Sequence, residues 1–270
     1  LTRLPRESRT RIGGSPTRRL LTAHISSFFR RSGSGMVLPM NRILMAIEQS
    51  TSTGSLALFK GSALIDSAAW TENTTRHQHL FPALQDILGR TQILPEAVDV
   101  LAVGLGPGVF SGLRMSLSAA RAFALPGRKM VCGISSGEAL AWDISRETGL
   151  QRVTVIGDAR RSRFWYGHFE AADRDVRMTA PYALVPAADI ASVLQPGAIL
   201  VSPHWDRIGE PLARAAGSSS RVVAGVRIPS ARAVGELALS RLATSFPWPP
   251  LKPIYMPPPG FIEPKFPPKA

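Results

Sequence analysis

A glycine-rich stretch, Gly104–Arg114, has the residue types of an anion-binding loop. It contains four glycines and Pro107, and it separates an apolar run (98–105) from an Ala-rich run (115–125). This order predicts a strand, a tight turn and a helix, and we expect Ser111 to cap that helix. Because a helix N-terminus presents unpaired N–H groups and the positive end of the helix dipole, such a loop can hold a phosphate or a carboxylate.

The spacing of the glycines fits neither of the two common phosphate-binding fingerprints. No Gly-Lys-Ser/Thr follows the loop, as a Walker A motif requires, and the third glycine of a dinucleotide-binding fingerprint is missing. A tight strand-to-helix turn without a ligand explains the same residues equally well. The loop alone therefore leaves both interpretations open.

Two histidines, His77 and His79, stand at the start of a predicted helix. Residues two positions apart do not share a helix face, so we expect solvated side chains rather than a metal pair. The chain contains no Gly-x-Ser-x-Gly elbow, and no pairing of a nucleophile with a base is apparent in the sequence.

A charged turn, Gly157–Arg160, is predicted between two strands of the second half. Asp158 and Arg160 can orient a ligand there, or they can simply form a salt bridge. The run Arg160–Arg163 is basic enough for a phosphate backbone and precedes the aromatic residues 164–166. Such a run is more often a strand with one buried face.

Composition and charge limit the class of protein. With 270 residues, 44% hydrophobic and 19% charged, the chain is typical of an α/β protein with a sizeable core. The single Cys132 excludes an intramolecular disulfide and favours a reducing, cytoplasmic compartment. Of the net charge of +13, residues 1–40 carry +7, from eight arginines against Glu7 alone. We expect residues 1–39 to be a targeting, disordered or non-native extension outside the fold.

The elements that must position these residues follow from hydrophobic periodicity. Strands near 43–47, 55–60 and 63–70 are predicted to form a meander, followed by helix, strand, helix, strand and helix up to Gly149. A weaker series of strands and helices runs from Val153 to Thr244. This alternation predicts an α/β fold of two stacked subdomains, at 40–149 and 150–246, rather than a Rossmann fold. The proline-rich tail, 247–270, should lie extended over the body or hang free.

Several stretches together carry a family resemblance. Ile43–Ser52, Gly104–Arg114 and Gly157–Arg160 match three motifs of one family in order, Leu80–Leu88 matches its Leu-Leu-Pro pattern, and Pro253–Tyr255 is similar to its closing Pro-x-Tyr. Over about residues 41–256 the chain resembles the TsaB (YeaZ) family of tRNA threonylcarbamoyladenosine biosynthesis proteins. That family has the actin-like (ASKHA) ATPase fold and was historically grouped with the glycoproteases.

The resemblance implies a non-catalytic subunit with two stacked actin-like subdomains, the second smaller and degenerate. Such a subunit pairs with a TsaD-like catalytic paralogue, and with a TsaE-like ATPase, to threonylcarbamoylate the tRNA adenosine next to the anticodon. When its partner is absent, such a subunit can form a homodimer. The expected partner surface is on the helices at 76–90 and 111–125, where small side chains exceed what one core-facing stripe requires. Its candidate residues are Leu80, Leu84, Leu113, Leu117, Ala120 and Ala124.

The resemblance also implies a pocket for ATP or ADP between the subdomains. Its candidate residues are Glu48, Ser50, Thr51, Gly106, Pro107 and Gly108. Glu48 stands where the superfold usually has Asp, and Ser136 and Leu140 stand where the catalytic paralogue has a His-x-x-x-His metal motif, so no metal centre is expected there. Two alternatives remain: a phosphotransferase, which needs a metal on Glu48, and a metallopeptidase, which needs ligands that we do not find.

Overall fold

A computed structural model of the chain describes residues 41–72, 79–217, 221–244 and 246–256. Segment 1–39, His77 and the end of the tail lie outside these residues. The first series of elements is β1 (Ile43–Glu48), β2 (Thr53–Lys60), β3 (Ala63–Thr71), α1 (Leu80–Thr91), β4 (Val98–Gly104), α2 (Phe110–Ala124), β5 (Met130–Ile134) and α3 (Ser136–Thr148). The second is β6 (Arg152–Asp158), β7 (Arg163–Ala172), β8 (Asp175–Met178), β9 (Ala183–Pro186), β10 (Ile199–Val201), α4 (Trp205–Ala216), β11 (Arg221–Val222) and α5 (Ala231–Leu242). Short 3₁₀ helices lie at Pro95–Ala97 and Ala187–Val193.

The first sheet has the strand order β3-β2-β1-β4-β5. Its central strand, β1, is buried along its whole length, as its continuous apolar run predicts for a strand covered on both faces. β1 pairs antiparallel with β2 and parallel with β4, and β4 pairs parallel with β5. The carboxyl ends of β1, β4 and β5 therefore meet at one edge of the sheet.

The second sheet has the order β11-β10-β6-β7-β8, and β9 pairs with the other end of β7. β6 and β7 form an antiparallel hairpin, whereas β10 lies parallel to β6. The sequence did not predict β8 and β9, which are four residues long and carry no sustained alternation. They form strands because both pair antiparallel with the long strand β7.

Helices fill the space between the sheets and cover their outer faces. α3 and α5 pack in one core with residues of both sheets, including Trp142, Val155 and Phe169. α1 and α2 cover the other face of the first sheet, and α4 with the 3₁₀ helix Ala187–Val193 covers the other face of the second. The predicted α/β class is confirmed, with two sheets.

Two local predictions can be compared with the structure. α2 begins at Phe110, so Ser111 lies in its first turn and Val109 takes the cap position, which corrects the predicted cap. The reason is that the N–H of Val109 donates to the carbonyl of Ser50 at 2.7 Å and fixes the end of the loop there. The described part of the tail is extended along the body: the N–H of Ile254 donates to the carbonyl of Leu105 at 2.7 Å. No helix among the described residues is long and apolar enough to cross a membrane.

Candidate functional site

The six predicted nucleotide-binding residues lie together at the carboxyl edge of the first sheet. Glu48 is the last residue of β1, Ser50 and Thr51 follow that strand, and Gly106–Gly108 follow β4. The start of α3 joins them, because the N–H of Ser136 donates to the carbonyl of Gly106 at 2.8 Å. The three segments therefore lie close together, and their role in binding a nucleotide stays a prediction.

Glu48 is fully buried and points into the protein rather than into a pocket. Its Oε1 accepts a hydrogen bond from the N–H of Ser50 at 2.6 Å, and its Oε2 accepts one from Ser136 Oγ at 2.8 Å. Ser136 Oγ in turn accepts from the N–H of Gly106 at 3.0 Å. Burial raises the pKa of the Glu48 carboxyl, although these hydrogen bonds oppose the shift. The carboxyl group thus connects β1, the glycine loop and α3.

The glycines of the loop allow this chain's own atoms to come close. A Cβ on Gly104 would overlap Glu48 Oε2, one on Gly108 would overlap the carbonyl of Ser50, and one on Gly112 would overlap the carbonyl of Gln49. Gly106 has φ +95°, and a Cβ there would lie 2.8 Å from the carbonyl of Ile254 in the tail. A side chain at any of these four positions would therefore collide with the chain's own atoms.

The cleft between the two sheets is filled in the same way. A cavity of about 10 Å³ remains, lined among others by Ser50, Pro107, Trp165 and His204, and this is room for about one water molecule. On one wall, the Tyr182 hydroxyl lies 2.6 Å from Ser135 Oγ, and burial raises the pKa of that hydroxyl. The residues present do not fit ATP or ADP in this cleft.

The wall from the second sheet is neutral at physiological pH. His204 Nδ1 accepts a hydrogen bond from the N–H of Asp158 at 2.9 Å, and burial lowers the pKa of His204 to about 4. Trp165 lies edge-on to the imidazole at 6.5 Å between ring centroids. Sequence reasoning did not identify His204, Tyr182 or Ser135, since their role depends on contacts between distant segments.

The two positions that correspond to the metal motif of the catalytic paralogue have other roles here. Ser136 bonds to Glu48 and Gly106, and Leu140 is buried in the core. Over the described residues, no group of three or more His, Cys, Asp or Glu side chains could hold a metal ion. His79 is at the cap position of α1 and makes no capping hydrogen bond with its side chain.

The six predicted partner-surface residues are buried within the chain itself and pack as core, which corrects that prediction. They are Leu80, Leu84, Leu113, Leu117, Ala120 and Ala124. The helical period had identified the stripe that faces the first sheet, and a partner can meet only the opposite faces of α1 and α2.

Large apolar side chains do occupy those opposite faces. Phe81, Phe110 and Leu125 are 58%, 52% and 76% exposed. The ring of Phe110 lies 5.0 Å from that of Tyr255 in the tail, and the Arg114 guanidinium lies 4.7 Å above it. We call Phe81, Phe110, Ala122 and Leu125 the helix face.

Comparison with known proteins identifies the family and several relatives of this chain. A family model described as "TsaD: tRNA N6-adenosine threonylcarbamoyltransferase" matches residues 72–243, more than half of the chain. The tRNA threonylcarbamoyladenosine biosynthesis protein TsaB of Escherichia coli K12 is 27% identical over 134 residues, which cover 49% of this chain and 57% of that protein. The protein of the same name from Haemophilus influenzae is 30% identical over 47% of this chain and 53% of its own length. The chain thus spans a little over half the length of these curated relatives.

Solved structures show the same fold. YeaZ from Pseudomonas aeruginosa superposes with a TM-score of 0.67 at 24% identity, over 79% of this chain and 99% of that one. A second Pseudomonas aeruginosa structure, described as similar to peptidase YEAZ, gives the same TM-score at 23% identity over 80% and 99% of the two chains. The chain therefore has the fold of these YeaZ structures, and the actin-like classification of that fold stays a prediction. From the family model, the chain belongs to the TsaD family, and it is similar to the TsaB proteins of Escherichia coli and Haemophilus influenzae.

Proposed function

We propose that the chain is a non-catalytic subunit required for threonylcarbamoylation of the tRNA adenosine next to the anticodon. One observation carries the proposal: the cleft between the two sheets, lined by Ser50, Trp165 and His204 among others, holds only about 10 Å³. The Glu48 carboxyl group accepts hydrogen bonds from the N–H of Ser50 and from Ser136 Oγ and is sealed from solvent. It is therefore poorly placed to bind magnesium. The subunit then acts as a scaffold or activator of a TsaD-like catalytic paralogue, alongside a TsaE-like ATPase.

The helix face is the surface that we propose for the TsaD-like partner. It carries exposed aromatic and aliphatic side chains on α1 and α2, and exposed apolar side chains of this kind are typical of protein interfaces. The exposed Ala122 on α2 is small, so another helix can approach closely there. A second copy of the chain can use the same surface when the paralogue is absent.

The catalytic part of the proposal is tested with purified proteins. The chain alone should neither hydrolyse ATP nor modify tRNA, whereas adding the cognate TsaD-like and TsaE-like proteins should give threonylcarbamoyladenosine in tRNA, measured by mass spectrometry of nucleosides. ATP turnover by the chain alone that Glu48→Gln abolishes would contradict a non-catalytic role.

The interface is tested with one substitution and a matched control. Ala122→Glu places a charge in the helix face and should reduce association with the TsaD-like protein at least about tenfold, because a desolvated, unpaired charge is costly at an interface. Ala188→Glu adds the same charge at an exposed position on the 3₁₀ helix of the second half and should leave association unchanged. Unchanged association for Ala122→Glu together with Phe81→Asp would place the interface elsewhere.

A further inference from the structure

The turn between β6 and β7 has an unusual backbone. Arg160, Arg161 and Ser162 have φ values of 66°, 51° and 55°, so three successive residues other than glycine occupy the left-handed region. Side chains there clash with the backbone, and tight hairpins normally use Gly or Asn at such positions. Arginine at strained positions suggests that the side chain itself is needed.

The turn is held in place by its neighbours. The N–H of Ala159 donates to the carbonyl of Arg163 at 2.9 Å, and the N–H of Ala187 donates to the carbonyl of Ser162 at 2.9 Å. The N–H of Arg160 donates to Asp158 Oδ1 at 2.7 Å. The backbone of the turn is thus fixed while its arginine side chains reach solvent.

Positive charge exceeds negative charge around this turn. The Arg160 side chain is 75% exposed, Arg161 is exposed, and Arg207 from the first turn of α4 is 34% exposed. One acid, Asp158, contacts both Arg160 at 3.7 Å and Arg207 at 3.0 Å, and cannot neutralise both. With Arg163 at the start of β7, four arginines lie on the turn and the elements next to it. The acids there are Asp158, the exposed Asp206 and the exposed Asp189 of the 3₁₀ helix, and His204 adds no charge, because burial lowers its pKa to about 4.

The geometry favours an extended anion over a small one. The cleft beside the turn, which His204 also lines, has room for about one water molecule and cannot enclose a nucleotide. Arginine binds phosphate through two parallel hydrogen bonds, and several exposed arginines on one surface match the repeated charges of a nucleic-acid backbone. A folded acidic protein surface would offer the same charge with less regular spacing.

We propose that Arg160, Arg161, Arg163 and Arg207 form a docking surface for the phosphodiester backbone of RNA. The inference rests on the proposed function in one respect, since the RNA would be the tRNA substrate of the complex. The arginines position the RNA and take no part in the transfer reaction. We call these four residues the arginine surface.

The test measures binding of unmodified tRNA to the full chain over a range of salt concentrations. Arg160→Gln with Arg161→Gln should weaken binding about tenfold at low salt and lower the slope of log K against log salt by about one for each lost phosphate contact. Arg177→Gln with Arg214→Gln removes the same two charges from side chains that are also 75% exposed, and should change both quantities much less. The arginines of residues 1–40 are present in every variant, so their contribution cancels.

A second measurement separates this proposal from the proposed function. Association of each variant with the TsaD-like protein is measured in parallel, and equal melting temperatures by circular dichroism establish that the variants are folded. Weakened tRNA binding with intact partner association supports the arginine surface. If tRNA binding is unchanged, the arginine surface is wrong and the scaffold role stands. If partner association falls and tRNA binding does not, the turn binds an acidic protein surface and the proposal is overturned.

Discussion

Asp143 on α3 lies beneath the N-terminus of α5. It accepts a hydrogen bond from Ser230 Oγ at 2.8 Å, and Ser230 Oγ itself accepts the N–H of Ala233 at 3.0 Å as the cap of α5. Burial raises the pKa of Asp143 to about 6, and the nearby Glu236 adds to the shift. The folded protein therefore favours the neutral carboxyl, and ionisation works against folding.

The pH dependence of stability should show this. Because the folded pKa lies above the usual value, the contribution of Asp143 is fully present below pH 4 and is lost as pH rises through about 6. Asp143→Asn stays neutral and still accepts from Ser230, so at pH 8 it should be more stable than the wild type by about 1–3 kcal/mol, with little difference at pH 4. Urea unfolding at both pH values measures this. The exposed Asp173→Asn should leave the pH dependence as it is.

The left-handed turn gives a prediction that separates stability from binding. Arg161→Gly removes the side-chain clash, which should stabilise the folded protein by about 1–2 kcal/mol. The greater freedom of glycine in the unfolded chain should destabilise it by about 0.5–1 kcal/mol. The variant should therefore be more stable by up to about 1 kcal/mol and yet bind tRNA more weakly. Arg177→Gly, in β8 with ordinary backbone, should lose stability. A fall in the melting temperature of Arg161→Gly would show that the turn is not strained.

At the scale of elements, the glycine loop is close-packed against the end of β1. Gly104→Ala would push a methyl group into Glu48 Oε2, which is held by Ser50 and Ser136. We expect a loss of about 3 kcal/mol or more in the free energy of unfolding, since neither strand can move. Gly89→Ala in α1 meets no atom within 4 Å and should gain up to about 1 kcal/mol from helix propensity. Chemical denaturation of both variants measures the contrast, and equal effects would contradict the packing of the loop.

For the whole molecule, Arg241 on α5 connects elements of both halves. It is 2% exposed and bonds to Glu138 of α3 at 3.0 Å and to Asp175 of β8 at 2.9 Å, while α5 also packs on β1 and β2 of the first sheet. The guanidinium lies 4.5 Å from the ring of Phe246, where the tail begins. This cluster joins the two sheets through one helix.

Removing the guanidinium should destabilise the protein as a unit. Arg241→Ala leaves two carboxylates without their partner and should cost about 3–5 kcal/mol. Arg227→Ala breaks an ion pair with Glu147 in which both side chains are at least 40% exposed, and should cost under about 1 kcal/mol. Thermal unfolding followed by circular dichroism compares them. Two separate transitions in Arg241→Ala would show that the halves unfold independently. The subdomain boundaries at 149/150 and 246/247 remain predictions.

The sequence by itself determined the features that depend on neighbours along the chain. The apolar runs at 43–47 and 98–105 placed β1 and β4 within a residue of their observed ends, Ile43–Glu48 and Val98–Gly104. The motif order identified the family, which the comparisons confirm. Local periodicity is enough to locate these elements, because buried strands and amphipathic helices have different hydrophobic patterns along the sequence.

Only the tertiary structure decided which atoms meet across the fold. Periodicity could not distinguish the buried Ala120 from the exposed Ala122, because α2 carries small residues on both faces. It could not show that Glu48 turns inward to Ser136, 88 residues away, or that the glycines of the loop leave room for atoms of Glu48, Gln49 and Ser50. β8 and β9 exist because β7 provides their hydrogen-bonding partner. Contacts between segments distant in sequence depend on the packing of the whole chain, and no local pattern records them.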